Sequence, residues 1–99
     1  ALGAPGTVRW VEVDTNHFKG NYPDSFTLEA ISAPGASLTE LIDPNRQFEV
    51  LIDETKLEAH TRLFIRDAVQ SIGSVTHLRL RIYPDGGVSR LRVYGKRDA

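Results

Sequence analysis

Residues 76–95 read THLRLRIYPDGGVSRLRVYG, and this stretch decides the class of fold. Leu78, Leu80 and Ile82 alternate with arginines, which is the pattern of a strand with one buried and one exposed face. A second alternating run follows Pro84-Asp85-Gly86-Gly87, whose residues tolerate a reversed backbone. The stretch predicts a β-hairpin whose apolar face is buried by the rest of the chain.

Other short segments also alternate between apolar and polar residues, and Gly, Pro, Asn and Asp separate them. Residues 60–67 fit both a helical stripe and a strand, and we favour the strand, with a short helical turn within 67–72. A polar loop is expected over residues 15–24, because it contains Gly20, Asn21, Pro23 and Asp24. The remaining strands are predicted over residues 7–14, 25–32, 37–42 and 48–53. Short strands without a long amphipathic helix indicate an antiparallel sandwich or barrel.

The composition is that of one ordinary globular domain. The chain has 99 residues, of which 40% are hydrophobic and 25% charged, so a second domain does not fit. The formal net charge of -1 gives no general electrostatic reason to bind nucleic acid or an acidic membrane. We therefore expect neither nucleic acid nor a membrane as a partner.

Cysteine is absent, which excludes a disulfide framework and a thiolate metal site. A fold held by packing alone suits a reducing compartment, and we expect a cytoplasmic location. No apolar run approaches the roughly 18 residues that a spanning helix needs, and no basic-then-apolar signal sequence opens the chain.

Three segments together are specific to one family. They read VEVDTNHFKGNYP over residues 11–23, KLEAHTR over 56–62, and the stretch from His77 to Gly95 with its IYPDGG core. These segments resemble the allantoicase repeat. The resemblance implies an all-β jelly-roll sandwich of galactose-binding (discoidin-like) type, and hydrolysis of allantoate to ureidoglycolate and urea in purine breakdown. The small-molecule partner would then be a ureide.

The resemblance also implies a repeat whose N-terminal strands precede Ala1. Residues 1–99 are then a single repeat domain, expected to be the later part of the C-terminal repeat. Unpaired sheet edges in such a piece would favour association. We expect a homo-oligomer or association with the rest of the parent polypeptide.

The loop after the first strand is the first candidate site. Asp14, His17 and Lys19 are expected to be catalytic, and Thr15 and Asn21 to bind substrate, because hydrolysis of a ureido group needs a base for water, an acid for the leaving nitrogen and donors for developing charge. The competing interpretation is structural. In it Asp14 and Asn21 bond the loop backbone and His17 is simply exposed.

The second candidate is the segment His60-Thr61-Arg62. Arginine grips a carboxylate through two parallel hydrogen bonds, so Arg62 is the preferred anchor for the allantoate carboxylate, with Thr61 beside it and His60 as a catalytic residue. In the competing interpretation, Arg62 pairs with a neighbouring Glu or Asp and His60 is a partly buried strand residue.

A divalent metal held by His17, His60 and His77, with Asp14 or Asp85 as an oxygen ligand, is a weaker hypothesis. No two histidines stand at i, i+4, and their spacing matches no known ligand motif, so hydrogen-bonding histidines are favoured and no metal ligand is assigned. Asp85 remains a substrate-binding candidate, although its main role in the Pro-Asp-Gly-Gly turn is expected to be structural.

Two further groups have mainly structural interpretations. We expect the four arginines to lie on a solvated face opposite acidic cross-strand partners, with an interface to another repeat as the alternative. These arginines are Arg79, Arg81, Arg90 and Arg92. We expect four aromatic residues to be core residues. They are Trp10, Phe26, Phe48 and Phe64.

Overall fold

A computed structural model describes residues 1–16, 20, 23–84 and 86–98. Strands dominate it, and its α-helix is a single turn. The elements in chain order are β1 Gly6–Asp14, β2 Ser25–Ile31, α1 Leu38–Leu41, β3 Glu49–Lys56, β4 Arg62–Ile65, β5 Ser74–Val75, β6 His77–Tyr83 and β7 Arg90–Arg97. The expectation of an all-β fold is confirmed.

The strands form two antiparallel sheets. In the first, β7 pairs with β1 from Gly6 to Asp14, while β4 and β5 pair with the two ends of β1. In the second, β2 lies between β3 and β6. Apolar residues of both sheets pack in one cluster, so the molecule is a sandwich. Members of that cluster are Val11, Val13, Phe26, Leu28, Leu51, Ile52 and Ile65.

The predicted hairpin is wrong, although both of its strands are present. β6 pairs with β2 in the second sheet, whereas β7 pairs with β1 in the first. Residues 84–89 therefore cross from one sheet to the other, with Gly86 at a φ of 132°. Alternation fixes which face of each strand is buried, and both strands do bury their apolar faces, but alternation does not fix the neighbouring strand.

The strand predicted over residues 37–42 is also wrong, because this segment is the helix α1. The Ser37 hydroxyl accepts a hydrogen bond from the Glu40 backbone N–H at 3.2 Å, and a Glu40 carboxylate oxygen accepts one from the Ser37 N–H at 3.3 Å. This capping box supplies partners to two N–H groups at the start of the helix. Leu38 and Ile42 are largely exposed.

The predictions for the remaining segments are mostly confirmed. Strands occupy most of residues 7–14 and 25–32 and half of residues 60–67, and the strand predicted over 48–53 runs on to Lys56. Residues 67–72 contain no helix, only a turn in which the Val69 N–H donates to Arg66 O. The short strand β5 was not predicted.

The four aromatic residues do not all lie in the core. Phe26 is fully buried, whereas Phe64 is 54% exposed. Phe64 lies opposite Glu12 on the outward face of the first sheet, and its neighbour Ile65 points into the core. The Trp10 ring lies on the same outward face and stacks on Tyr94 at 3.9 Å between centroids. The expectation of a core position is therefore confirmed for Phe26 and wrong for the other three residues, which do not belong to the core cluster. They are Trp10, Phe48 and Phe64.

The four arginines divide between the two sheets. Arg79 and Arg81 both bond Glu29 on the second sheet, and Arg92 bonds Glu12 on the first. The predicted acidic cross-strand partners are thus confirmed for these three residues. The four arginines form no single patch, because β6 and β7 are not neighbours.

Candidate functional site

Three connections meet at one end of the sandwich. β1, β3 and β6 end there, and β2, β4 and β7 begin there, because every pairing among these strands is antiparallel. Residues 15–24, 57–61 and 84–89 link these strand ends. The three segments that carry the family resemblance are far apart in sequence, and the fold brings part of each to this end.

Backbone hydrogen bonds tie these connections together. The Thr15 N–H donates to Thr61 O at 2.8 Å, and the Leu57 N–H donates to Asp24 O at 2.9 Å. On the other side, the Ser89 N–H donates to Asp14 O at 2.7 Å. We call residues 14–16, 58–62 and 89–92 the rim.

Thr15 is buried and joins two parts of the rim. Its hydroxyl donates to Glu58 O at 2.6 Å and accepts a hydrogen bond from the Thr61 N–H at 3.0 Å. The Thr61 hydroxyl donates to Ala59 O at 2.7 Å. Both hydroxyls, which sequence reasoning assigned to substrate, are engaged with the backbone of the rim itself.

Asp14 is also buried and bonds the loop that follows it. Its Oδ1 accepts a hydrogen bond from the Asn16 N–H at 2.8 Å, which is the turn geometry typical of aspartate. The Ser89 hydroxyl donates to Asn16 O on the other side of this turn. The competing structural interpretation of Asp14 is therefore confirmed for this contact.

Arg62 shares a buried carboxylate with Arg92. The Arg62 Nε and Nη2 donate to Glu12 Oε1 at 3.0 and 2.5 Å, and the Arg92 Nη1 donates to Glu12 Oε2 at 2.6 Å. Glu12 is 1% exposed, whereas the Arg62 side chain is 51% exposed. The acidic partner that the competing interpretation of Arg62 required is thus present, and about half of the Arg62 side chain is still exposed.

The Glu12 carboxylate is held in its charged form. Burial raises the pKa of Glu12, but the hydrogen bonds and charges of Arg62 and Arg92 lower it by a larger amount. The pKa therefore lies below the ordinary value of 4.5. Hydrogen bonds to Glu12 and its charge raise the pKa of Arg92. Sequence reasoning missed Glu12, although a glutamate among the valines of a predicted strand was a signal.

His60 has an uncommon backbone conformation. Its φ is 50°, in the left-handed region that favours glycine and is rare for other residues. Such conformations persist where the surrounding hydrogen bonds impose them, and the Thr15–Thr61 contacts lie beside this residue. His60 is therefore held at the corner of the rim, between Glu58 and Arg62.

Five of the predicted site residues lie together at the rim. They are Asp14, Thr15, His60, Thr61 and Arg62. The other four lie outside the described residues. They are His17, Lys19, Asn21 and Asp85.

The metal hypothesis loses one of its ligands. His77 begins β6 and pairs with Ile31 at the end of the sandwich opposite the rim, so it does not join His60. Its Nδ1 is hydrogen-bonded to the Thr76 hydroxyl at 2.8 Å. Within the described ranges, no cluster of three or more His, Asp and Glu side chains could hold a metal ion.

A surface depression of about 500 Å³ opens at the same end of the sandwich as the rim. It is lined by Asp24, Ser25, Glu54 and Lys56, and the Ser25 hydroxyl donates to a Glu54 carboxylate oxygen at 2.9 Å. A cavity of about 460 Å³ near Leu2 and Val93 lies at the opposite end. In the part of the chain that the structure describes, no helix has the length and apolar character to cross a membrane.

Comparison with known proteins identifies the family. Residues 1–98 match the family described as Allantoicase repeat. A probable allantoicase 1 from Burkholderia mallei is 45% identical over 98 residues, which are 99% of this chain and 29% of that protein. A probable allantoicase from Stutzerimonas stutzeri is 44% identical over 96 residues, which are 97% of this chain and again 29% of that protein.

Solved structures give the same result. A structure described as that of allantoicase superimposes with a TM-score of 0.74 at 30% identity, covering 95% of this chain and 25% of that one. The allantoicase of Saccharomyces cerevisiae gives a TM-score of 0.71 at 26% identity, covering 97% of this chain and 29% of that one. The chain spans less than a third of the length of these proteins, and it belongs to the allantoicase repeat family.

Proposed function

We propose that this repeat contributes a substrate site to an allantoicase-like hydrolase, which converts allantoate and water into ureidoglycolate and urea. The single observation that carries the proposal is that parts of all three family-specific segments meet at the rim, where Thr15 bonds Glu58 and Thr61 and Ser89 bonds Asp14. Loops held together at one end of a rigid sandwich are a common position for a binding site.

The proposed reaction needs two proton transfers. A water oxygen forms a bond to the ureido-bearing carbon while the bond from that carbon to a urea nitrogen breaks. A base takes the water proton, and an acid protonates the departing nitrogen. We assign these roles to the group formed by Asp14, His17, Lys19 and His60. Asp14 and His60 are included because they lie at the rim. His17 and Lys19 are included on sequence grounds alone.

Arg62 is the proposed anchor for the substrate carboxylate. Its side chain is half exposed beside Thr61, although two of its nitrogens bond Glu12. Asn21 and Asp85 are proposed to bind the ureido groups, on sequence grounds. Thr15 and Thr61 are proposed to support substrate binding by fixing the rim, since their hydroxyls bond backbone oxygens.

The test is incubation of the natural full-length polypeptide with allantoate, with urea and ureidoglycolate both quantified. We expect equal amounts of the two products, and substitution of His60 by glycine should reduce their formation while relieving the strained backbone. Glycine accepts a φ of 50° without cost, so this variant should fold. Absence of urea above the uncatalysed rate from folded protein would reject the enzyme proposal.

A second function is a non-catalytic module of galactose-binding type that binds a ligand or supports assembly. The observation that favours it is that Asp14, Thr15 and Thr61 all use polar side-chain atoms on the rim backbone. Saturable binding of allantoate without urea release would select this function. A cytoplasmic location and association into a homo-oligomer, or with the rest of the polypeptide, remain part of both proposals.

A further inference from the structure

Glu12 holds two arginines from different strands against one carboxylate. Arg62 lies at the start of β4 and Arg92 near the start of β7, on opposite sides of β1. Each binds a different oxygen of Glu12, at 2.5 and 2.6 Å for the shortest contacts. The two guanidinium groups therefore lie side by side over the outward face of the first sheet.

This group has more positive than negative charge. Two guanidinium cations share one carboxylate, and the carboxylate is 1% exposed while the arginine side chains are 51% and 36% exposed. The negative charge of Glu12 is therefore buried, whereas the side chains of Arg62 and Arg92 are partly exposed to solvent. Two cations held close together repel each other, so an anion bound between their outward donors would be favoured.

Some donors of the two guanidinium groups are not used on Glu12. Arg62 uses Nε and Nη2 on Glu12, and Arg92 uses Nη1, so within the described residues the Nη1 of Arg62 and the Nε and Nη2 of Arg92 have no protein acceptor among their hydrogen bonds. Planar guanidinium groups present such donors in directions that match a carboxylate. Both arginines also lie within the rim.

A comparable group on the other sheet has the same charges but a different position. Glu29 likewise binds two arginines, Arg79 and Arg81, but both of them come from the same strand, β6. The Arg79 guanidinium packs on the Phe48 ring at 3.9 Å from the ring centroid, closer than the 5.3 Å between the Arg62 guanidinium and the Phe64 ring. This group lies at the middle of β2, away from the connections at the rim. It provides a matched control.

We propose that Arg62 and Arg92, held side by side by Glu12, form one binding site for a carboxylate. This proposal rests on the proposed function in one respect: the natural ligand is taken to be the carboxylate of the ureide substrate. Arg92 is then a second anchor that the sequence did not suggest, and Glu12 is the positioning residue for both.

The experiment uses glycolate as the probe and glycolamide as its neutral counterpart. Binding of each to the full-length polypeptide is measured by isothermal titration, for the natural protein and for Arg62→Lys, Arg92→Lys, the double variant and the control Arg81→Lys. Lysine keeps the charge beside Glu12 but loses the planar donor pair. A thermal melt of each variant checks that it folds.

We expect glycolate to bind and glycolamide not to bind. Each single substitution at the pair should weaken glycolate binding about tenfold, and the double variant should lose less than the product of the two because both arginines hold the same carboxylate. Arg81→Lys should bind glycolate as the natural protein does. Unchanged binding in folded Arg92→Lys, or an equal loss in Arg81→Lys, would overturn the proposal.

Urea release from allantoate is measured in parallel and separates the two proposals. If the natural protein binds glycolate with this dependence on both arginines but releases no urea, the carboxylate site is supported and the enzyme proposal fails. If urea is released and Arg92→Lys leaves both glycolate binding and the KM for allantoate unchanged, the enzyme proposal stands and the paired site is overturned.

Discussion

The Thr15 side chain and the Thr61 backbone join two loops that are 46 residues apart in sequence. The Thr61 N–H donates to Thr15 Oγ1 at 3.0 Å, and the Thr15 N–H donates to Thr61 O at 2.8 Å. The Thr15 hydroxyl also donates to Glu58 O. These bonds hold the first and second family-specific segments together and fix the backbone next to His60 and Arg62.

Thr15→Val should therefore destabilise the fold. Valine matches threonine in shape but leaves the Thr61 N–H and Glu58 O without this partner, at a cost of roughly 1–3 kcal/mol in free energy of unfolding. Urea denaturation measures the change. The control is Thr55→Val, whose hydroxyl bonds the nearby Asp53 O near the surface and should change stability by about 0.5 kcal/mol or less. Equal effects of the two substitutions would contradict the assigned role of Thr15.

Gly95→Ala should also destabilise the fold, because β1 and β7 approach closely there. A Cβ atom at position 95 would lie 2.0 Å from Thr7 O, next to the β-bulge between Val8 and Trp10. Relieving this overlap requires the backbone to shift, at a cost of roughly 1–3 kcal/mol. Thermal unfolding of Gly95→Ala is compared with Gly3→Ala, which has nothing within 4 Å of its added Cβ. A melting temperature for Gly95→Ala no lower than that of the control would show that the close approach is absent.

The two phenylalanines provide a test of the sandwich core. Phe26→Ala removes a fully buried ring and should cost about 3–5 kcal/mol. Phe64→Ala removes a ring that is half exposed and contacts Trp10 at 6.0 Å between centroids, so about 1 kcal/mol or less is expected. Chemical denaturation of both variants gives the comparison. A larger loss from Phe64→Ala would place that ring in the core and contradict the register of β4.

Stability should fall in acid because of Glu12 and Glu29. For each, burial raises the pKa, and hydrogen bonds and charges from two arginines lower it more, so the pKa in the folded state lies below 4.5. A lowered pKa in the folded state means that the carboxylate stabilises the fold above the ordinary pKa, and that this contribution is lost as the pH falls through the lowered value. Denaturation at about pH 6, 4.5 and 3 should therefore show a decline below about pH 4.5.

The double variant Glu12→Gln with Glu29→Gln tests the source of this decline. It should be less stable than the natural protein near neutral pH and should show a shallower loss in acid, since the neutral amides do not titrate. An acid decline of the same size in both proteins would assign it to other carboxylates.

The sequence predicted features that depend on neighbouring residues. Alternation in residues 78–82 correctly identified the buried face of β6. The Ser37 and Glu40 spacing of a capping box was present in the sequence of α1, but it was not used and a strand was predicted there. Turn residues around Pro84 correctly marked a change of direction. They could not show that the chain crosses between sheets, because the choice of neighbouring strand depends on packing of the whole chain.

The sequence predicted part of the group of residues that meets at the rim, and the roles of these residues stay predictions. Five residues of the rim were predicted because they lie in two short polar segments, and the fold does bring them together. They are Asp14, Thr15, His60, Thr61 and Arg62. Glu12 and Arg92 were not predicted as site residues. Glu12 contacts Arg92 across 80 residues of sequence and Arg62 across 50 residues, so neither contact is visible in a local segment. Only the pairing of β4 and β7 with β1 places the two arginines on one carboxylate.

Steady-state urea release from allantoate by full-length Arg62→Lys is the most direct test of the rim as a substrate site. The control is Arg81→Lys, whose side chain is equally exposed and also bonds a glutamate. We expect Arg62→Lys to raise the KM about tenfold with kcat within about threefold of the natural value, and Arg81→Lys to leave both unchanged. A KM in Arg62→Lys equal to that of the natural protein would contradict the central claim.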